Sequence, residues 1–319
     1  MKEIDYKAII ERYNHQELNR EKTINLLVFL IQSKDDAGVR LEIIDSLDQL
    51  NAFDEKLYKF IESLVISDAD PLIREKAIEI LKIYYLENAF KPVKWALEHE
   101  QNYNCLISLI HTLVRINTPS SKNLLLSILR KRLSENKKNI APLGLRKYNH
   151  IIDHLCEKGI IQTFSLEHLA NHLVGYITIG ELLNTFYSVH YELDRTTYLP
   201  VKLDMSDIEF EVRGWKAEFR NAIEHLSEIT GLLNLQSLRH LDLSNNRIKN
   251  IRELVGLNNL KYLYLSNNQI EDEINFTYLK KLKNLVYLDI SGNKIAYCSS
   301  KIALHKDLEI KVQNLNYFQ

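Results

Sequence analysis

The sequence predicts an α+β repeat protein, with a run of helical hairpins in the N-terminal part followed by a short solenoid of strand-and-turn units. Three observations predict it. Glycine and proline are scarce before residue 141, where only Gly38, Pro71, Pro92 and Pro119 occur, and apolar residues recur at helical spacing, as in Ile24, Leu27, Phe29, Leu30 and Ile31. A segment then repeats itself: DAGVRLEIIDSL at 36–47 is echoed by DPLIREKAIEIL at 70–81 and more loosely by NYNCLISLIHTL at 102–113. Near the other end one phrase is written three times, as LRHLDLSNNRI from Leu238, LKYLYLSNNQI from Leu260 and LVYLDISGNKI from Leu285.

Composition sets the outer bounds. At 319 residues, with 45% hydrophobic and 26% charged residues, the chain is long enough for two domains and is not of disordered type. A formal net charge of −1 gives no global field for DNA or an anionic membrane, so a nucleic-acid role would need a local patch. The start, MKEIDYKAII, has no apolar leader, and INLLVFLI at 24–31 is too short to span a bilayer, so the expected setting is cytoplasmic without membrane contact. Cys105, Cys156 and Cys298 are far apart and form no CxxC, which fits reduced thiols in a reducing compartment.

Within the N-terminal repeats, Asp36 and Asp70 are helix N-cap candidates, Pro71 suits a first helical turn, and Arg40 and Arg74 occupy equivalent places one turn in. This pattern resembles HEAT repeats, in which an Asp and an Arg at such places pair between neighbouring units. The third unit departs, with Asn102 for Asp and Leu106 for Arg, so that ladder is expected to stop there. Second helices at about 54–66, 90–100 and 119–134 complete three helix pairs, giving a HEAT-like α-solenoid over 1–135.

Residues 130–147 carry Arg130, Lys131, Arg132, Lys137, Lys138, Arg146 and Lys147 against Glu135 alone. Such a run suits a solvated helix end; phosphate binding is its alternative use. A helical adapter is expected over 136–205, where RKYNHIIDHLCEKG ends in Gly159 and SLEHLANHLV starts from Ser165 as N-cap. A turn at GYIT, a third helix over Ile179 to His190 and the strand-like YLPVKLDMSDIEFEV at 198–212 are similar to the layout of a winged helix. The third helix has no Arg or Lys, which counts against DNA recognition and favours a structural adapter. His150/His154 and His168/His172 each stand at i, i+4, a spacing that can chelate zinc. No HExxH glutamate accompanies them and chance spacing on polar helix faces explains them as well, so no metal is expected.

The three C-terminal phrases have Leu or Ile at their first, fourth and sixth places and Asn246, Asn268 and Asn293 at the ninth, with spacings of 22 and 25 residues. This LxxLxLxxN pattern resembles the leucine-rich repeat, and the resemblance implies a short leucine-rich-repeat α/β solenoid with caps over 206–319. The 22-residue unit and SNN turns are similar to the class typified by regulatory subunits of protein phosphatase 1. Each unit makes a strand whose fourth and sixth residues enter a shared core, and Asn at the ninth place can satisfy backbone groups of adjacent turns, making Asn246, Asn268 and Asn293 a structural ladder.

Strand alternation turns the third, fifth and seventh places the other way. These are His240, Tyr262 and Tyr287, then Asp242, Tyr264 and Asp289, then Ser244, Ser266 and Ser291. Three tyrosines flanked by two carboxylates suit partner binding, because tyrosine offers rigid contact area with a polar tip. ITGLLNLQSL at 229–238 matches IRELVGLNNL at 251–260, so the ladder is expected to begin before its first full strand. Trp215 and Phe219 at one end, and Tyr317 and Phe318 after DLEIKVQNL at the other, are cap candidates. No GxxxxGK[ST], GxGxxG or GxSxG motif is present, so catalysis and a cofactor are not expected. The expected function is a non-catalytic protein–protein scaffold. The rival is a nucleic-acid-associated regulator using 130–147 and the winged-helix-like segment.

Overall fold

The computed structural model describes residues 5–50, 52–138, 143–212, 218–296 and 308–312. The chain divides into two compact units, Met1–Ile128 and Leu129–Gln319. The described part of the first unit holds α1 (Tyr6–Asn14), α2 (Arg20–Ser33), α3 (Ala37–Gln49), α4 (Tyr58–Ser67), α5 (Pro71–Tyr84), α6 (Phe90–His99), α7 (Tyr103–Ile116) and the start of α8 (Pro119–Lys138). Two helices begin at the expected caps, where Asp36 accepts from the Val39 N–H and Asp70 from that of Leu72, and Asn102 in the departing third unit also caps its helix by accepting from the Cys105 N–H. Pro71 takes the first helical position, where its missing N–H costs nothing. Alternate helices pack together, α3 on α5, α5 on α7 and α4 on α6, burying Ile43, Ile44, Ile73, Ile78, Leu109 and Ile110.

The two equivalent arginines pair differently from the expected Asp–Arg scheme. Arg40 donates to both carboxylate oxygens of Asp68, and Arg74 reaches both oxygens of Glu100 at 2.8 and 2.9 Å. Asp68 and Glu100 stand at the C-caps of α4 and α6, whereas Asp36 and Asp70 are taken up by their own helix starts. Burial drives the Glu100 carboxyl upward, but the Arg74 bonds and the N–H groups of Asn102 and Gln101 outweigh it and hold the carboxyl below its ordinary range.

In the second unit the order is α9 (Arg146–Glu157), α10 (Leu166–Thr185), β1 (His190–Leu193), β2 (Pro200–Asp204), β3 (Phe210–Val212), β4 (Glu218–Arg220), β5 (His240–Asp242), β6 (Tyr262–Tyr264), α11 (Ile274–Leu279), β7 (Tyr287–Asp289) and β8 (Glu309–Lys311). One sheet runs β1-β2-β5-β6-β7-β8; β1 is antiparallel to β2 and every later pairing is parallel. The fourth-place residues Leu241, Leu263 and Leu288 are fully buried in one row with Leu203 of β2. Met205, Leu243, Leu265 and Ile290 form the next core row. The spacing of 22 against 25 residues has a physical origin: the first return crosses in a 3-10 turn at Arg252–Gly256, the second in the longer α11. Asn275 at the head of α11 is fully buried and bridges back to the Ile251 N–H and the Lys249 carbonyl.

The segment expected to form a winged-helix-like adapter is built otherwise. No turn forms at GYIT; α10 runs unbroken from Leu166 to Thr185, and His190 begins a strand. Gly175 is in that helix for clearance, since a Cβ there would stand 3.0 Å from Pro200 Cδ and 3.1 Å from the Tyr148 hydroxyl. Tyr148 is fully buried and Pro200 begins β2, so neither has room to retreat. Gly175→Val should therefore lower the stability of this unit by about 1–3 kcal/mol through overpacking, read as a lower denaturant midpoint. The strand-like part of the adapter is the repeat sheet's own leading edge, with Lys202, Leu203 and Asp204 of β2 in register with His240, Leu241 and Asp242. β3 and β4 form a separate two-stranded ladder. Of the cap candidates, Phe219 lies in β4, while Trp215, Tyr317 and Phe318 fall outside the described residues.

Candidate functional surface

The face of the sheet turned away from the leucine core carries two in-register rows. Along the first lie Glu192, Lys202, His240, Tyr262, Tyr287 and Glu309; along the second, His190, Asp204, Asp242, Tyr264, Asp289 and Lys311. The expected patch residues thus share one surface, joined by charged neighbours from β1, β2 and β8. The His240 and Tyr262 rings stack at 4.2 Å with an 8° tilt, and Tyr264 and Tyr287 approach to 5.3 Å. All four rings are half-buried, leaving an edge of each open. Burial and then Lys202 push the His240 pKa below its ordinary value.

The carboxylates of this surface have structural duties that the sequence reading did not foresee. Asp204 accepts from the Ser206 N–H, Asp242 from that of Ser244 and Asp289 from that of Ser291, each closing the end of its strand. Asp289 is also covered by Lys311, whose Nζ lies 3.0 Å away, and is only 5% exposed, so it is the least available of the expected partner residues. Lys202 is held by Glu192 at 3.0 Å.

Beneath the surface the ninth-place asparagines link adjacent turns. Asn268 donates to the Leu243 and Leu265 carbonyls and accepts from the Ile248 N–H, and Asn293 does the same with Leu265, Ile290 and Ile270. Asn246 reaches the Met205 and Leu243 carbonyls and the Ile223 N–H, extending the ladder to the β2 turn. A second ladder runs beside it at the eighth place. Asn245 donates to Asp207 at 3.0 Å and Asn267 to Asn245 at 2.7 Å, each of these residues having a positive φ. Gly292 ends this ladder, also at positive φ, with Asn267 pressed against the space a side chain would need. The motif LDMSDI at 203–208, beside LDLSNN at 241–246, is the sequence signal for the β2 turn.

The histidine pairs are not drawn together. His150 and His154 are exposed on α9, whereas His172 of α10 is buried with Nε2 2.9 Å from the Thr197 carbonyl. Phe164 stacks on its ring at 5.2 Å and His168 meets it edge-on at 4.9 Å. Among the described residues, no group of three or more His, Cys, Asp or Glu side chains is placed to hold a metal ion. Nε2 must carry the proton, and the buried Nδ1 has no partner among the described residues. Burial, then His168, depress this pKa from 6.5 to about 4. The folded form thus stays neutral where the unfolded chain takes up a proton, and this contribution to stability is complete above pH 6.5 and lost as the pH falls toward 4. Between pH 7 and pH 5 wild type should lose about 2 kcal/mol more than His172→Gln, measured by denaturant unfolding at both pH values. Equal losses would contradict this assignment.

In the basic segment, Arg132 of α8 is half-buried and burial pushes its guanidinium pKa down, while Lys131 lies 4.0 Å from Glu135. The described residues of the first unit also form a hollow of about 330 Å³ beside Trp95, His99, Arg74 and Glu100. Its carboxylates Asp68 and Glu100 are already engaged by arginines. No helix among the described residues is long and apolar enough to cross a membrane.

Residues 236–276 and 258–302 match the family model for leucine-rich repeats, as two copies. The match spans β5, β6 and β7 and does not extend to the β2 turn. Comparison with curated proteins gives no match.

Proposed function

We propose that the chain is a non-catalytic adapter that docks a partner protein on the outward face of its leucine-rich-repeat sheet. The observation that carries this reading is the parallel register of β5, β6 and β7, with His240 stacked on Tyr262 and Tyr264 against Tyr287 on a face whose opposite side is fully occupied by the leucine core. Half-open aromatic rings on a rigid strand support lose little entropy on contact, and interface energy concentrates in such residues. The N-terminal helices, read as a HEAT-like solenoid, would present a second surface, so that two partners are brought together. Panning random peptides displayed on phage against the intact protein, with the Tyr262→Ala/Tyr264→Ala/Tyr287→Ala variant in parallel, tests the first surface. Peptides enriched on wild type and lost on the variant support the reading; equal enrichment on both contradicts it.

A further inference from the structure

We infer that the occupant of this face is a positively charged segment of the partner, with an arginine or lysine side chain seated over Asp204 and Asp242 and against the ring of Tyr264. The inference rests on the reading above and specifies its ligand chemistry. Its basis is the unequal charge balance of the second row. At one end Asp289 is neutralised by Lys311, but Asp204 and Asp242 stand on adjacent in-register strands, and neither has a cation bonded to it among the described residues.

Parallel strands lie about 4.8 Å apart, so these two negative charges repel across a half-buried surface. Each carboxylate uses Oδ1 for its strand-end bond to serine, and no bond involving Oδ2 of either is found among the described residues. Lys202, on the neighbouring row of the face, is bonded to Glu192 and acts on Asp204 and Tyr264 only through space, without a hydrogen bond to either. Tyr264 is the next residue along the same row, so a cation bridging the two Oδ2 atoms would rest beside an aromatic ring as well as between two carboxylates. A planar guanidinium answers both demands at once. An acidic segment would meet two like charges that Lys202 offsets only in part, and a purely apolar one would bury two carboxylates without a bonded cation.

The strand-end bonds allow a clean test. Asp204→Asn with Asp242→Asn keeps an acceptor oxygen for the Ser206 and Ser244 N–H groups and removes only the charge and its repulsion, so the variant should fold with a thermal transition no lower than that of wild type. Phage-displayed random peptides selected on the wild-type chain should be enriched in Arg and Lys. Synthetic copies should bind the double Asn variant at least about tenfold more weakly at low salt, and the difference should shrink as salt is raised. Selected peptides that are neutral or acidic, yet lost on the triple tyrosine variant, would overturn this inference and leave the docking surface standing. Basic peptides that bind wild type and the Asn variant equally would also overturn it. Failure to enrich any peptide over the tyrosine variant would overturn both.

Discussion

Replacing Asn268 by alanine is expected to cost about 2–4 kcal/mol, because one side chain serves four backbone groups in the middle of the ladder. The Ile248 N–H has no acceptor but Asn268 Oδ1 among the described residues, so it is left buried and unpaired, with a penalty of about 1–3 kcal/mol. The Leu243 and Leu265 carbonyls lose one bond each but keep a second donor, from Asn246 and Asn293 respectively, which limits their share. Asn268→Asp would retain the acceptor but set a buried carboxylate against the carbonyls to which Asn268 donates, and should cost at least as much as alanine at neutral pH. The measurement is denaturant unfolding of the repeat-containing unit; a midpoint within error of wild type would remove the ladder from the account.

The triple variant Tyr262→Ala/Tyr264→Ala/Tyr287→Ala should lose at least about a hundredfold in affinity for a ligand of the sheet face, since a hot-spot tyrosine is worth about 2 kcal/mol. The three side chains lie on the open side of β6 and β7, and the leucines between them on those strands are untouched. Folding should survive with a modest loss of stability, because Tyr262 also stacks on His240 and Tyr264 on Tyr287, contacts worth about 0.5–1.5 kcal/mol each. Calorimetry of a selected peptide on both proteins checks the affinity, and a thermal melt checks the fold. Unfolding of the variant would contradict the outward placement of these rings.

The strands with intact anchors were legible in the sequence because each position of their phrase is tied to a separate physical demand: leucine to the core, asparagine to the turn, and the residues between to the open face. β2 was legible as strand-like within 198–212 but not as part of the ladder, because two of those signals are weakened at once. Ile208 stands where the ladder asparagine would be, and β3 and β4 intervene before Leu241, so no fixed spacing points back to Leu203. With β2 legible as a strand but not as a neighbour of β5, Lys202 and Asp204 could not be placed beside His240 and Asp242. Gly175 misled for a different reason: glycine usually marks a turn, but here the lost side chain lets α10 approach Pro200. The helix starts of the first unit were readable from Asp36, Asp70 and Pro71, yet the partners of Arg40 and Arg74 were not, because Asp68 and Glu100 meet them only once neighbouring hairpins have packed. The structural roles of Asp242 and Asp289 were equally hidden, since an outward carboxylate two residues before a serine reads the same in sequence whether it caps a strand or awaits a partner.

The central claim is that the sheet face carrying Tyr262, Tyr264 and Tyr287 is where a partner docks. Hydroxyl-radical footprinting of the full chain, with and without a peptide selected on it, reads those side chains directly. Bound peptide should lower oxidation at Tyr262, Tyr264 and Tyr287 together and leave Trp95, exposed on the N-terminal helices, at its free level. Protection of Trp95 with the three tyrosines unchanged would contradict it.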